Sequence, residues 1–165
     1  MVPITFLTCT KFADLLTTNN ALQNGITALN AQYNLSIPFI PNENVVLSSA
    51  SADLADLSVQ LSYPRVCVYP VSLKNAGLEK SRSLSGNVLI TADILASADL
   101  VNDTDQWIHF YVHAITTLLR ASAGSWGDGV FFSGLYDVQF QPPKVGGLGF
   151  VLLARLNLNL LVSLS

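Results

Sequence analysis

The stretch from Phe150 to Val162 limits the possible folds more than any other part of the chain. Leu152, Ala154, Leu156, Leu158 and Leu160 occupy every second position, with Arg155, Asn157 and Asn159 between them. A period of two separates leucines from polar residues only in an extended strand, because successive strand side chains point to opposite faces. Such a strand has one wholly apolar face and needs a second layer to cover it. The same period recurs from Arg82 to Ala96, where Val88, Ile90, Ala92 and Ile94 alternate with Leu89, Thr91, Asp93 and Leu95. Gly86 in that stretch suggests a bulge. Arg65 to Val71, β-branched and aromatic between Pro64 and Pro70, predicts a third strand whose prolines favour its ends or an edge position. Phe132, Tyr136, Val138 and Phe140 share one face of a fourth.

The covering layer is read from helical spacing. Leu15, Leu22, Ile26, Leu29 and Tyr33 recur at three, four and seven, which predicts one helix between Thr10 and Tyr33 with Thr10 as N-cap and Asn34 as stop. Gly25 and the Thr17 to Asn20 run weaken its interior. Asp103-Thr104-Asp105-Gln106 has the form of a capping box, and Ile108, Tyr111, Ile115 and Leu118, widened by Trp107 and Leu119, form the stripe of a second helix that Gly124 can end. Residues 34–64, broken by Pro38, Pro41 and a serine cluster, predict a long excursion. It is expected to hold an edge strand at Val45 to Leu47 and a short helix carrying Leu54, Leu57 and Leu61. A connection of that length in a compact domain suggests a task such as docking against a neighbouring subunit. Gln141 to Gly147 is too long for a tight hairpin turn. The expected fold is therefore α+β: residues 1–165 form a single domain with a four-stranded, mainly antiparallel sheet and two helices packed on one face, and the excursion lies between helix 1 and strand 1.

Charge is scarce. Only 12% of residues are charged, against roughly 25% in ordinary globular domains. Apolar and amide side chains must then take up surface that Lys and Glu usually occupy, and apolar patches mark association sites. The net charge of −3 and the scattered Lys and Arg offer no stripe for tracking phosphates, so sequence-specific nucleic-acid binding is not expected. Residues 1–10 lack the basic region of a secretory signal, and Phe150 to Val162 is too short and too polar to span a membrane. Cys9 and Cys67 are too few for a disulfide framework or a four-thiolate zinc site, and buried free thiols are expected.

No motif for chemistry emerges. His109 and His113 stand at i and i+4, as in zinc-binding helices, but Phe110 occupies the place of the metalloprotease glutamate and no third ligand lies nearby. Gly124-Ser125-Trp126-Gly127 follows a helix, whereas a nucleophile turn or phosphate loop sits between a strand and a helix. A turn that needs positive φ accounts for those glycines. With two glutamates, Glu43 and Glu79, and aspartates at caps and turns, no paired-carboxylate site is visible. The chain is expected to be neither an enzyme nor a holder of a metal or cofactor.

Four segments together carry a resemblance: Tyr63-Pro64-Arg65-Val66-Cys67-Val68-Tyr69, Glu79-Lys80-Ser81-Arg82-Ser83-Leu84-Ser85-Gly86, Trp126-Gly127-Asp128-Gly129, and Phe132-Ser133-Gly134-Leu135-Tyr136-Asp137-Val138. In order and spacing they resemble the tail terminator family of tailed bacteriophages, from about Pro38 to the C-terminus. Ser81 and Leu84 stand where relatives tend to carry aromatics. The resemblance implies a virion protein assembled in the bacterial cytoplasm: a ring, usually hexameric, that caps the finished tail tube and offers a docking face to the head connector or neck proteins. DNA passage through the ring is the one relation to nucleic acid it allows. Glu79, Lys80 and Arg82, a concentration of rare charge beside Gly86, are expected at subunit or partner contacts, together with Lys144. A head-side neck or stopper protein is the alternative within the same virion, and a small-molecule-binding monomer the alternative from another class.

Overall fold

A computed structural model describes residues 2–48, 62–76, 83–146 and 149–164. In chain order these form α1 (Ile4–Thr17), a 3-10 turn (Thr18–Asn20), α2 (Ala21–Tyr33), a second 3-10 turn (Asn42–Asn44), β1 (Val45–Val46), β2 (Arg65–Asn75), β3 (Leu84–Ala98), α3 (Val101–Ala121), β4 (Gly124–Gly127), β5 (Val130–Phe140), β6 (Lys144–Gly146) and β7 (Gly149–Leu164). The class is α+β, but the expected four-stranded sheet is wrong. Seven strands form one curled, half-barrel sheet in the order β1-β2-β3-β7-β5-β4, with β6 also paired to β7. The four expected strands are its four long ones. The other three are short: β1, the expected edge strand, has two residues, while β4, built from what reads as a glycine turn, and β6, inside what reads as a loop, were not expected.

β3 and β7 are the spine, paired antiparallel from Leu84↔Leu164 to Ala98↔Phe150. On one face, Val88, Ile90, Ala92 and Ile94 of β3 and Leu152, Ala154, Leu156, Leu158 and Leu160 of β7 join Phe12 and Leu16 of α1, Leu22 and Ile26 of α2, and Ile108, Tyr111 and Ile115 of α3 in the main core. Apolar residues at period two in the strands meet residues at period 3.6 in the helices, and water leaves both.

The first helix differs from expectation. It begins at Ile4 rather than Thr10, and the weak Thr17 to Asn20 run breaks it into α1 and α2: Asn19 and Asn20 take left-handed φ of 54° and 56°. Asparagine tolerates that region better than most residues, because its short amide can bond locally. Asn34 ends α2 in the same left-handed conformation, as expected (φ 53°). The box at Asp103 is not used, since α3 starts two residues earlier, with Leu100 as N-cap and no side-chain cap bond. Gly86 marks no bulge. The β2–β3 register shifts between Pro70 and Ser72, and Gly86 stays in register with Asn75, where a Cβ would run into the Lys74 carbonyl.

The described part of the excursion is pinned to the core instead of standing free. Ile37 N–H donates to Asn30 Oδ1 (3.0 Å) and Asn30 Nδ2 donates to the Ile37 carbonyl (2.8 Å). The Tyr111 hydroxyl donates to the Pro38 carbonyl, and Ile37 and Ile40 are buried. Asn44, itself buried, donates to the Pro64 carbonyl and accepts from Ser62 Oγ, tying the two described ends together. The expected edge strand is present as β1, parallel to β2. The helix expected around Leu54, Leu57 and Leu61 lies outside the described residues.

Candidate interaction surface

The sheet face turned away from the helices carries the polar half of the alternation. Strand pairing aligns these residues in rows: Cys67, Asp93, Arg155 and Gln139 across β2, β3, β7 and β5, then Tyr69, Thr91, Asn157 and Asp137 beside them. Arg155 donates to Asp93 through Nε (2.8 Å) and Nη2 (2.9 Å), a two-pronged pair, and the Tyr69 hydroxyl donates to Asp93 Oδ2 (2.9 Å). Asp93 is 0% exposed although it faces away from the main core. A buried carboxylate without partners would be costly, and three donated bonds offset its lost hydration. Thr91 Oγ1 donates to Asn157 Oδ1 (2.8 Å), Asn157 Nδ2 reaches Asp137 (3.4 Å), and Gln139 Nε2 donates to Asp137 (3.1 Å). Cys67, Leu95, Val151 and Leu153 form a small apolar cluster at one end of this face.

The titration behaviour follows from these contacts. Burial, then the Asp93 charge and the bond to it, pushes Tyr69 up to about 12. The bonds to Asp93 raise Arg155 above its ordinary range. Burial raises Cys67 and pushes Cys9 up to about 11, so both thiols stay neutral at physiological pH. Both are buried and unpaired to each other, as the cysteine count suggested, and a neutral buried thiol is a poor nucleophile.

The glycine segment at 124–129 is a clasp. Gly124, Gly127 and Gly129 do adopt positive φ, as the sequence suggested, and Asp128 joins them at 50°. Trp126 of β4 stacks on Phe12 (6.4 Å between ring centres), tilts against Phe132 (5.4 Å) and donates from Nε1 to the Ser122 carbonyl. Lys11 of α1 donates to the Trp126 carbonyl and pairs with Asp128 at 2.7 Å.

His109 and His113 are both exposed on α3, and the His109 ring lies 4.9 Å from that of Phe140. Among the described residues no group of three or more His, Cys, Asp or Glu is placed to hold a metal. No described helix is long and apolar enough to cross a membrane. Of the expected contact residues, Glu79, Lys80 and Arg82 lie outside the described residues. Lys144 is exposed on β6 and pairs with Val151 near the start of β7, whereas Ser83 donates its N–H to the carbonyl of Leu164 at the other end.

What sequence reasoning missed is the condition of the two outer strands. β1 covers β2 at Val66 and Cys67, and β4 covers β5 at Val130, Phe131 and Phe132. Among the described residues no strand lies beyond 68–75 of β2 or 133–140 of β5. Both stretches are apolar and open to water: Val71 (54%), Leu73, Tyr136, Phe140 and, most of all, Leu135 (76%) are exposed. Alternation marks these residues as one-sided, but only the strand order reveals that they end the sheet.

No protein-family model matches the chain, and no curated protein matches it.

Proposed function

We propose that this chain is a structural subunit that closes into a ring at the head-to-tail junction of a tailed bacteriophage, and that it is the tail terminator of that ring system. The observation that carries the self-associating part is the pair of apolar strand edges at opposite ends of one sheet, beyond which no strand lies among the described residues. An exposed apolar edge is an association site or a liability. The junction assignment rests on the resemblance carried by the Tyr63, Glu79, Trp126 and Phe132 segments. Heterologous contacts that close give rings, and a ring seated on the growing end of a tube made of stacked rings stops it by presenting a different face.

Electron microscopy of lysates lacking the gene tests the assignment. Loss of a terminator leaves DNA-filled heads beside free tails, many of them overlong. Free tails of uniform normal length beside leaking heads would instead assign the chain to the head-side neck or stopper. Light scattering across concentration separates both from a small-molecule-binding monomer, which would keep the mass of one chain throughout.

A further inference from the structure

We infer that the ring partner of each chain is a second copy whose β5 edge (Tyr136 to Phe140) pairs antiparallel with the β2 edge (Val71 to Asn75), so that the sheet runs on from subunit to subunit. This rests on the self-association proposed above and names the surface that performs it.

Strand direction permits it. β2 runs antiparallel to β3, β3 to β7, and β7 to β5, so β2 and β5 point in opposite directions. Copies placed side by side with their strands aligned alike therefore meet as an antiparallel pair, the geometry of β-augmentation. The backbone groups are available: Ala76 N–H bonds inward to Ser85, and Gln141 N–H bonds inward to Leu153. By alternation Leu73 and Asn75 on one edge, and Tyr136, Val138 and Phe140 on the other, turn their N–H and C=O groups outward.

One register matches side chains as well. The open part of β2 carries one charge, Lys74, and the open part of β5 carries one, Asp137. Lys74 sits opposite Asn87, and Asp137 opposite Asn157, both on the sheet face away from the helices. Setting Lys74 against Asp137 places Ser72 against Gln139 on that same face. It places Leu73 against Val138 on the helix side, which removes exposed apolar surface from water. A register one residue away would oppose apolar to polar throughout. Because the two edges are different surfaces, the contact is heterologous and can be repeated around a ring.

Lys74→Cys and Asp137→Cys in one chain test this, since directly opposed strand residues lie within disulfide range. The full-length double variant, oxidised gently, should give a non-reducing ladder ending at the ring size, while either single variant should match the parent chain. Equal mixing of the two single variants should give only linked dimers. In parallel, Lys74→Glu should raise the concentration needed for half-assembly several-fold, and adding Asp137→Lys to it should restore assembly. Rings of normal mass without the ladder or the rescue would overturn the edge pairing and leave the ring standing. A single-chain mass at every concentration would overturn both.

Discussion

The two faces of the one sheet are stabilised by different physics. The helix-covered face is a continuous apolar layer, in which Phe12, Ile90, Leu156 and Leu158 gain from leaving water and no contact depends on direction. The opposite face holds a buried carboxylate satisfied by one arginine and one tyrosine, beside a chain of amide and hydroxyl bonds. Apolar cover tolerates substitution of similar volume, whereas a polar network tolerates only partners that keep every atom bonded. The helix face therefore supplies most of the stability, and the outer face fixes which residue of β3 stands beside which residue of β2 and β7.

The largest expected effect is on the helix face. Phe12→Ala removes a fully buried ring between α1 and Trp126 and should cost about 3–5 kcal/mol in a denaturant melt. A cost below about 1 kcal/mol would mean that this face is not the main source of stability. Arg155→Leu comes next, at about 2–3 kcal/mol, because Asp93 remains buried with its two-pronged partner gone. The double variant Asp93→Leu with Arg155→Leu should recover most of that loss. Failure to recover would show that the pair contributes stability in itself and not only register.

Tyr69→Phe should cost about 1 kcal/mol at neutral pH, and it also changes the response to alkali. Tyr69 titrates in the fold near 12 against an ordinary 10.0, so its contribution is complete below pH 10 and is lost as pH rises from 10 through 12. Replacing it should flatten the fall in melting temperature across that window without abolishing it, because burial shifts Tyr111 and Cys9 in the same direction. An unchanged alkaline profile would detach Tyr69 from Asp93. The smallest effect is expected for Asn157→Ala, about 0.5–1 kcal/mol, read as a melting shift, since the Thr91 hydroxyl loses its acceptor while the bond lost to Asp137 is long and exposed.

How far the chain can be read in advance follows the same division. β3, β7 and α3 are legible because each keeps one period for more than ten residues. The inward row of β7 is as its leucines suggest, and Arg155, Asn157 and Asn159 do face the other way. β4 and β6 escape because four and three residues carry no period, and because the glycines of 124–129 signal a turn equally well. The Asp93–Arg155–Tyr69 group was partly legible: Asp93 and Arg155 each occupy the polar row of a strand. Their meeting depends on β3 pairing with β7 across a separation of 62 residues, which no local signal sets. The open edges depend in the same way on strand order, a property of the assembled sheet.

The clasp between Lys11 and Trp126 joins residues 115 apart in sequence. During synthesis at about 5–20 residues per second, roughly 6–23 s pass between the appearance of the two. Throughout that interval Phe12 lacks the indole it will stack on. Final packing around Phe12 therefore waits for the β4–β5 turn, a dependence between parts far apart in the order of synthesis.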